Sequence, residues 1–290
     1  MPFSDLYQAP RRGLSFELFP PKKVEDLDTL EQTVDQLQRF NPDFFTCTYG
    51  AGGSSQDRTL EVISRVKKVT GLPVASHLTC VGSTVDDLRA YLKQALQRGV
   101  ELIVALRGDP PKGESSFTAV DGGLRYANEL VALIRAEFPQ FGIAVAGYPE
   151  VHQEASDPRT DLENLKRKVD AGGDIVITQL FYDNADFYRF RERAVAAGIN
   201  VPIIPGLLPI TNLAQAKRIT SMCKSKLPAE LAERLSENDS AEWQFEVGVE
   251  HARQQTIDLL ESGVEGLHLY VLNKSRAAAV MLEGLEIAAT

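Results

Sequence analysis

Glu17 is the residue whose type and setting point most directly to chemistry. It lies in Leu14-Ser15-Phe16-Glu17-Leu18-Phe19, ahead of Pro20 and Pro21. Leu14, Phe16 and Leu18 alternate with Ser15, Glu17 and Phe19, which is the period of a β-strand. The prolines stop that strand, because neither can donate to a ladder. An ionised carboxylate among Phe16, Leu18 and Phe19 loses hydration, which favours its neutral form and raises its pKa. A carboxyl that keeps its proton near neutral pH is a general acid. The competing reading is a strand-end glutamate that faces solvent or pairs with an arginine.

Other reactive side chains stand at comparable points. Thr48, His77, Arg107 with Asp109, Tyr148 with His152, and Gln179 each close an apolar segment, and Asn273 and Lys274 follow the last one. A second group has helical spacing. Leu162, Leu165 and Val169 make an apolar stripe, and Asp161, Asn164 and Lys168 repeat that spacing one residue earlier, with Arg167 at their border. That polar stripe is either a solvated face or a cradle for ribose and pyrophosphate oxygens. Gly50-Ala51-Gly52-Gly53 could hold a phosphate, though such loops are also ordinary turns. The four histidines, His77, His152, His251 and His268, lack zinc-type spacing, so no metal is expected, and His251 and His268 read as structural. There is no Gly-x-Ser-x-Gly elbow. Only Lys274, just past the last apolar segment, could form a Schiff base.

These residues need elements to position them. Apolar segments at Leu14–Phe19, Asp43–Tyr49, Pro73–Leu78, Glu101–Leu106, Gly142–Gly147, Asp174–Leu180, Val201–Pro205 and Gly266–Leu272 read as eight strands. Helical patterns follow each one. Leu27, Leu30, Val34 and Leu37 share a face; Ser54 or Ser55 can cap a helix running to Val69; Thr84 caps another, with Asp86 and Asp87 in its first turn. Further helices are predicted near Gly122–Phe138, Arg159–Ala171, Ala185–Ala197, Asn212–Cys223, Pro228–Ser236, Ala241–Ser262 and Ser275–Ile287. Leu102-Ile103-Val104-Ala105-Leu106 is continuously apolar, as parallel strands covered on both faces are. Eight β/α units in 290 residues is the arithmetic of an α/β (β/α)8 TIM barrel, with extra helices between strands seven and eight. A doubly wound sheet would usually carry a glycine-rich turn after strand one, where Phe19-Pro20-Pro21-Lys22 stands. In a barrel the strand ends listed above surround a single mouth, where active sites sit. No linker or low-complexity segment interrupts residues 1–290, which reads as one domain.

Composition narrows the function. The net charge of −9 argues against a nucleic-acid surface. Hydrophobic content of 43% and charged content of 24% are those of a globular chain. Three cysteines without paired spacing suit a reducing compartment. No apolar leader and no membrane-length run is present, so a cytoplasmic protein with no membrane partner is expected.

Taken together, Phe16-Glu17-Leu18-Phe19-Pro20-Pro21-Lys22, Thr48-Tyr49-Gly50-Ala51, His77-Leu78-Thr79-Cys80, Ala105-Leu106-Arg107-Gly108-Asp109, Tyr148-Pro149-Glu150-Val151-His152, Asn164 to Gly172, Ile177-Thr178-Gln179-Leu180-Phe181 and Pro205-Gly206-Leu207-Leu208-Pro209 resemble the methylenetetrahydrofolate reductase family in its short bacterial form. The resemblance runs from about Gly13 to Lys274. It implies a TIM barrel with non-covalent FAD. It implies ping-pong hydride transfer from NADH or NADPH, through the flavin, to 5,10-methylenetetrahydrofolate. The product would be 5-methyltetrahydrofolate, feeding methionine synthesis in a homo-oligomeric enzyme acting on CH-NH donors. Glu17 matches the family's general acid. Asp109 matches the aspartate beside flavin and pterin. Thr48 and Gln179 match nicotinamide contacts, Gln179 and Gln215 folate contacts, and Lys274 a position that meets the folate tail. Tyr49, Ala51, His77, Arg107, Gly108, Asp109, Tyr126, Ala127, Tyr148, His152, Ala155, Asp161, Asn164, Arg167 and Lys168 match FAD contacts. Two positions depart from some members: Lys274 replaces an arginine fork with a point charge, and Ile219 replaces a phenylalanine that could stack. The alternative is another flavin barrel such as proline dehydrogenase, which lacks this motif set.

Overall fold

A computed structural model describes residues 3–7, 12–49, 53–110, 113 and 116–287. The strands are β1 (Gly13–Leu18), β2 (Phe44–Cys47), β3 (Val74–Thr79), β4 (Leu102–Leu106), β5 (Gly142–Gly147), β6 (Ile175–Thr178), β7 (Ile203–Ile204), β8 (Gly206–Leu207) and β9 (Gly266–Tyr270). All pair in parallel in the order β7-β6-β5-β4-β3-β2-β1-β9-β8. The helices are α1 (Leu27–Gln38), α2 (Gly53–Thr70), α3 (Val85–Gln97), α4 (Ala127–Glu137), α5 (Pro158–Asp170), α6 (Asn184–Ala196), α7 (Leu213–Cys223), α8 (Ala229–Ser236), α9 (Ala241–Glu261) and α10 (Arg276–Leu282).

This is the TIM-barrel architecture read from the sequence, with α7, α8 and α9 inserted before the last strand. The strand expected at Val201–Pro205 is broken instead. Pro205, which has no N–H, separates β7 from β8. β7 pairs with β6 and β8 with β9, so the two halves close the barrel between them. The amide of Gly206 donates to Thr178 Oγ1 at 2.9 Å across the break. A Cβ at Gly206 would lie 2.2 Å from the Thr178 carbonyl oxygen, so the close approach requires glycine.

Each strand sends alternate side chains to opposite faces. Leu14, Phe16, Leu18, Phe45, Ile103 and Val145 pack outward in one core with the buried helix residues Leu27, Leu30, Val34 and Leu37. Phe44, Ala75, Leu102, Ile175 and Ile204 fill the barrel's interior with Phe3, Leu6 and Tyr7 from a 3-10 turn at Phe3–Tyr7. Phe3 and Tyr7 meet Phe44 edge-on at centroid distances of 5.2 and 6.2 Å, sealing the N-terminal end of the strands.

Several helix starts have local causes. Thr84 caps α3, as predicted, and Asp87 returns a hydrogen bond to complete a reciprocal capping box. Asp157 caps α5 through the amide of Thr160, with Pro158 at its first position. α4 opens at Ala127 rather than near Gly122, because the Glu129 carboxylate takes the amides of Arg125 and Tyr126 at 2.7 and 3.2 Å. α2 begins at Gly53, so Ser54 and Ser55, expected ahead of it, lie within its first turn. No helix among the described residues is long and apolar enough to cross a membrane.

Candidate active site

The C-terminal ends of the strands open into one cleft of about 1350 Å³. That exceeds the roughly 1,000 Å³ upper range of ordinary small-molecule pockets. Its floor carries Glu17, His77, His268 and Tyr270, with Val104, Ala146 and Ile177. One wall is formed by Tyr148, His152 and the α5 residues Asp161, Asn164, Arg167 and Lys168. Thr48, Tyr49, Arg107, Gly108, Asp109, Tyr126, Ala127, Ala155 and Gln179 complete the set of predicted residues that line it.

Glu17 is 7% exposed, but its surroundings differ from the apolar setting expected. Phe16 and Leu18 point to the outer core, because neighbours on a strand face away from each other. The carboxyl instead lies between two imidazoles. His77 Nε2 is 3.5 Å and His268 Nε2 3.8 Å from Glu17 Oε2. Both distances exceed a direct hydrogen bond. Burial lowers the pKa of His77 against the pull of Glu17, with His268 lowering it further. A neutral His77 therefore does not act as a fixed counter-cation. His268, read from the sequence as structural, stands in the site at 1% exposure. Its signal was parity: His268 and Tyr270 alternate inward on β9, which ends two residues earlier than predicted.

Asn273 and Lys274, expected at the last strand's mouth, lie beyond it. Asn273 grips the backbone of Phe19 from both sides, accepting its amide and donating to its carbonyl, each at 2.8 Å. It thereby ties the exit of β1 to the exit of β9. Lys274 and Gln215 line a small recess beside the cleft, sharing Leu208, Tyr270 and Leu272 with it. The Gln215 side chain accepts from Thr211. Gln179 folds its carbonyl onto the amide of Leu180 at 2.9 Å, within the cleft. Ala51, with Gly50 and Gly52, lies outside the described residues.

The α5 wall is an electrostatic unit. Lys168 Nζ donates to the Ala146 carbonyl at 2.5 Å and lies 5.7 Å from the centre of the Tyr148 ring. Burial pushes its ammonium down to about 8, with Asp161 pulling the other way. Asp161 is 9% exposed. Burial raises its carboxyl, while the His152 amide, 3.2 Å away, and Lys168 favour its charge. His152 packs edge-on to Tyr148 at 4.6 Å, and its Nδ1 accepts the Glu154 amide at 3.1 Å. Burial and then Arg107 hold this imidazole neutral, so its hydrogen sits on Nε2. Val151, between Tyr148 and His152, adopts φ 74°, a strained value for a β-branched residue. Asn164 and Arg167 are exposed and joined by a 2.9 Å hydrogen bond.

Next to this wall, Arg107 makes a two-pronged pair with Glu154 at 2.5 and 2.6 Å and covers the Phe117 ring at 5.0 Å. Glu154 was not foreseen in the sequence. Asp109 is exposed at the mouth, facing Tyr148 and Cys223. Gly108 between them has φ 89°, and a Cβ there would meet Val81 at 2.7 Å. Thr79 Oγ1, which also lines the cleft, is buried with no hydrogen-bond partner among the described residues. Among the described residues no cluster of His, Cys, Asp and Glu could hold a metal ion. The arrangement offers a buried carboxyl on the floor and a polar and cationic wall, both lining the same cleft.

The methylenetetrahydrofolate reductase family model matches residues 3–286. The 5,10-methylenetetrahydrofolate reductase of Escherichia coli (strain K12) is 42% identical over 276 residues, covering 95% of this chain and 91% of that protein. Methylenetetrahydrofolate reductase (NADH) 1 of Arabidopsis thaliana is 39% identical over 286 residues, covering 94% of this chain. The chain spans about half (48%) of that plant protein's length. Among solved structures, an uncharacterized protein from Clostridium thermocellum that binds two copies of 5-methyl-5,6,7,8-tetrahydrofolic acid superposes with a TM-score of 0.64. It is 14% identical and each chain is 93% covered, a likeness of fold.

Proposed function

The chain belongs to the methylenetetrahydrofolate reductase family, and from that premise we propose that it reduces 5,10-methylenetetrahydrofolate to 5-methyltetrahydrofolate with NADH or NADPH, using non-covalent FAD. The observation that carries this reading is the sharing of one cleft by Glu17 on the floor and the Asp161–Lys168 stripe on the wall. The rival flavin barrel, proline dehydrogenase, is not favoured by the family match.

The residues present suit a bound FAD. Asp161, Asn164, Arg167 and Lys168 offer acceptors for ribose hydroxyls and cations for phosphate oxygens along one helix face. Tyr49, His77, Tyr126, Ala127, Tyr148, His152, Ala155 and the Arg107–Gly108 turn would line the rest, and Thr79 Oγ1 leaves a hydrogen bond to be made. Gly108 lets this turn pass close to Val81 and Thr79, where a Cβ would clash. When bound, FAD supplies the redox step, accepting hydride from the nicotinamide and returning it to the folate.

The chain's own groups do the rest. Glu17, in a buried pocket with neutral imidazole beside it, would deliver a proton to the folate's imidazolidine ring so that the ring opens to an electrophilic iminium. Asp109 at the mouth would bind the pterin and oppose negative charge on the flavin. Thr48 and Gln179 would orient the nicotinamide, and Gln179 the folate. Gln215 and Lys274, in the adjoining recess, would meet the folate's far end. All of this lies within one FAD-bearing domain, residues 1–290, in a cytoplasmic homo-oligomer with no nucleic-acid or membrane partner.

The test is direct. The purified protein should be yellow, bleach without air on addition of NADH or NADPH, and recover its colour on addition of 5,10-methylenetetrahydrofolate. A colourless protein that takes up no FAD, or a bleached one that the folate does not reoxidise, contradicts the reading.

A further inference from the structure

His268 has no task in the chemistry above, yet it is the most enclosed polar group on the cleft floor. Its Nδ1 lies 2.8 Å from Ser15 Oγ, and the same hydroxyl lies 3.5 Å from the Leu267 carbonyl oxygen. Its Nε2 lies 3.8 Å from Glu17 Oε2. Ser15 and Glu17 are two residues apart on β1, and the register sets Ser15 beside His268 and Glu17 beside Tyr270. The side chains therefore form a row running inward from the cleft: Glu17, His268, Ser15. The ring of Tyr270 meets that of His268 edge-on at 5.0 Å, and its hydroxyl donates to the Thr178 carbonyl at 2.7 Å. The imidazole is thus fixed on two sides.

The role of one imidazole nitrogen follows from the hydrogen bond made by the other. If the Ser15 hydroxyl points its hydrogen at the Leu267 carbonyl, Ser15 Oγ accepts from Nδ1–H. Nε2 then turns a lone pair toward Glu17 and favours a carboxyl that keeps its proton. If the hydroxyl donates to Nδ1, Nε2 carries the hydrogen and favours the carboxylate. The other titratable groups that feel the Glu17 charge are His77 on β3, Tyr270 on β9 and, from the outer-core side of β2, Cys47. Both imidazoles line the cleft, but His268 is the more enclosed, at 1% exposure against 8% for His77, and its Nδ1 is anchored by Ser15.

We propose that His268 is a positioning residue for Glu17: anchored by Ser15, it presents a basic Nε2 to the carboxyl and keeps the acid form available for the folate. No proton passes through His268 in this role. The proposal rests on the assignment of Glu17 as the acid, and its test separates the two.

Histidine imidazole 1H–15N spectra of the full-length protein as purified give the tautomer directly, with only four histidines to assign. A neutral His268 with its hydrogen on Nδ1 is expected in the wild type, tautomer mixing in Ser15→Ala, and recovery in Ser15→Thr. Ser15→Ala should also shift the pH profile of the folate half-reaction by about half a unit or more, while Ser15→Thr restores it. A wild-type His268 protonated on Nε2 overturns the proposal, and this reading stands even where Ser15→Ala fails to fold. An unmoved pH profile in both Ser15→Ala and His268→Gln overturns it as well. If Glu17→Gln abolishes the folate half-reaction while those variants leave its profile alone, only this inference fails. If Glu17→Gln reacts with folate at the wild-type rate, the acid assignment falls with it.

Discussion

The ammonium of Lys168 illustrates how single residues at this site set binding against stability. Its folded pKa of about 8 lies below the ordinary 10.5. Between those values the unfolded chain holds a proton that the folded chain does not, so stability rises with pH across that window and the full cost stands below it. Lys168→Met removes the buried charge. The variant apoprotein should match or exceed the wild type in urea unfolding at pH 7, and that advantage should shrink toward pH 10. An advantage that grows with pH would contradict the assignment. The binding side is read separately. Lys168→Ala combined with Asp161→Ala should weaken FAD retention with the fold intact, and full flavin occupancy after dilution would count against the α5 cradle. At the mouth, Asp109→Asn should make bound flavin easier to reduce, because a nearby carboxylate opposes added negative charge. A redox titration showing an equal or lower potential would remove the electrostatic part of that claim.

At the scale of elements, the barrel's closure is its most constrained point. Gly206→Ala would drive a Cβ toward the Thr178 carbonyl and disturb the Gly206–Thr178 hydrogen bond. Such overpacking costs roughly 1–3 kcal/mol, so a lower urea midpoint with an unchanged slope is expected, and an unchanged midpoint would show that the closure yields freely. The eight β/α units, the insertion of α7 to α9 and the polar stripe of α5 were legible in the sequence, because periodicity and capping are local signals. What was not legible depends on which neighbour a side chain meets. Phe16 and Leu18 flank Glu17 in sequence but face the outer core, and the residues that do reach Glu17 come from β3 and β9, 60 and more positions away. His268 was overlooked because a histidine inside an apolar strand carries no motif. The last strand was drawn two residues too long, to Leu272, whereas β9 ends at Tyr270.

At the scale of the whole molecule, the proposed function has one cleft serve two chemically different substrates in turn. Only one of them needs a proton. Under the proposed mechanism, passage of hydride from nicotinamide to flavin would make no demand on Glu17, whereas opening of the methylenetetrahydrofolate ring would. Glu17→Gln keeps the side chain's shape and much of its hydrogen bonding but cannot deliver a proton. Stopped-flow measurement of the two half-reactions of this variant therefore tests the central claim. Flavin reduction by NADH or NADPH should stay within a few-fold of the wild type, and reoxidation by the folate should fall by about 10²- to 10⁴-fold, the range for a lost general acid. Equal slowing of both half-reactions would make Glu17 a structural or flavin-binding residue, and an unchanged folate half-reaction would place the proton donor elsewhere.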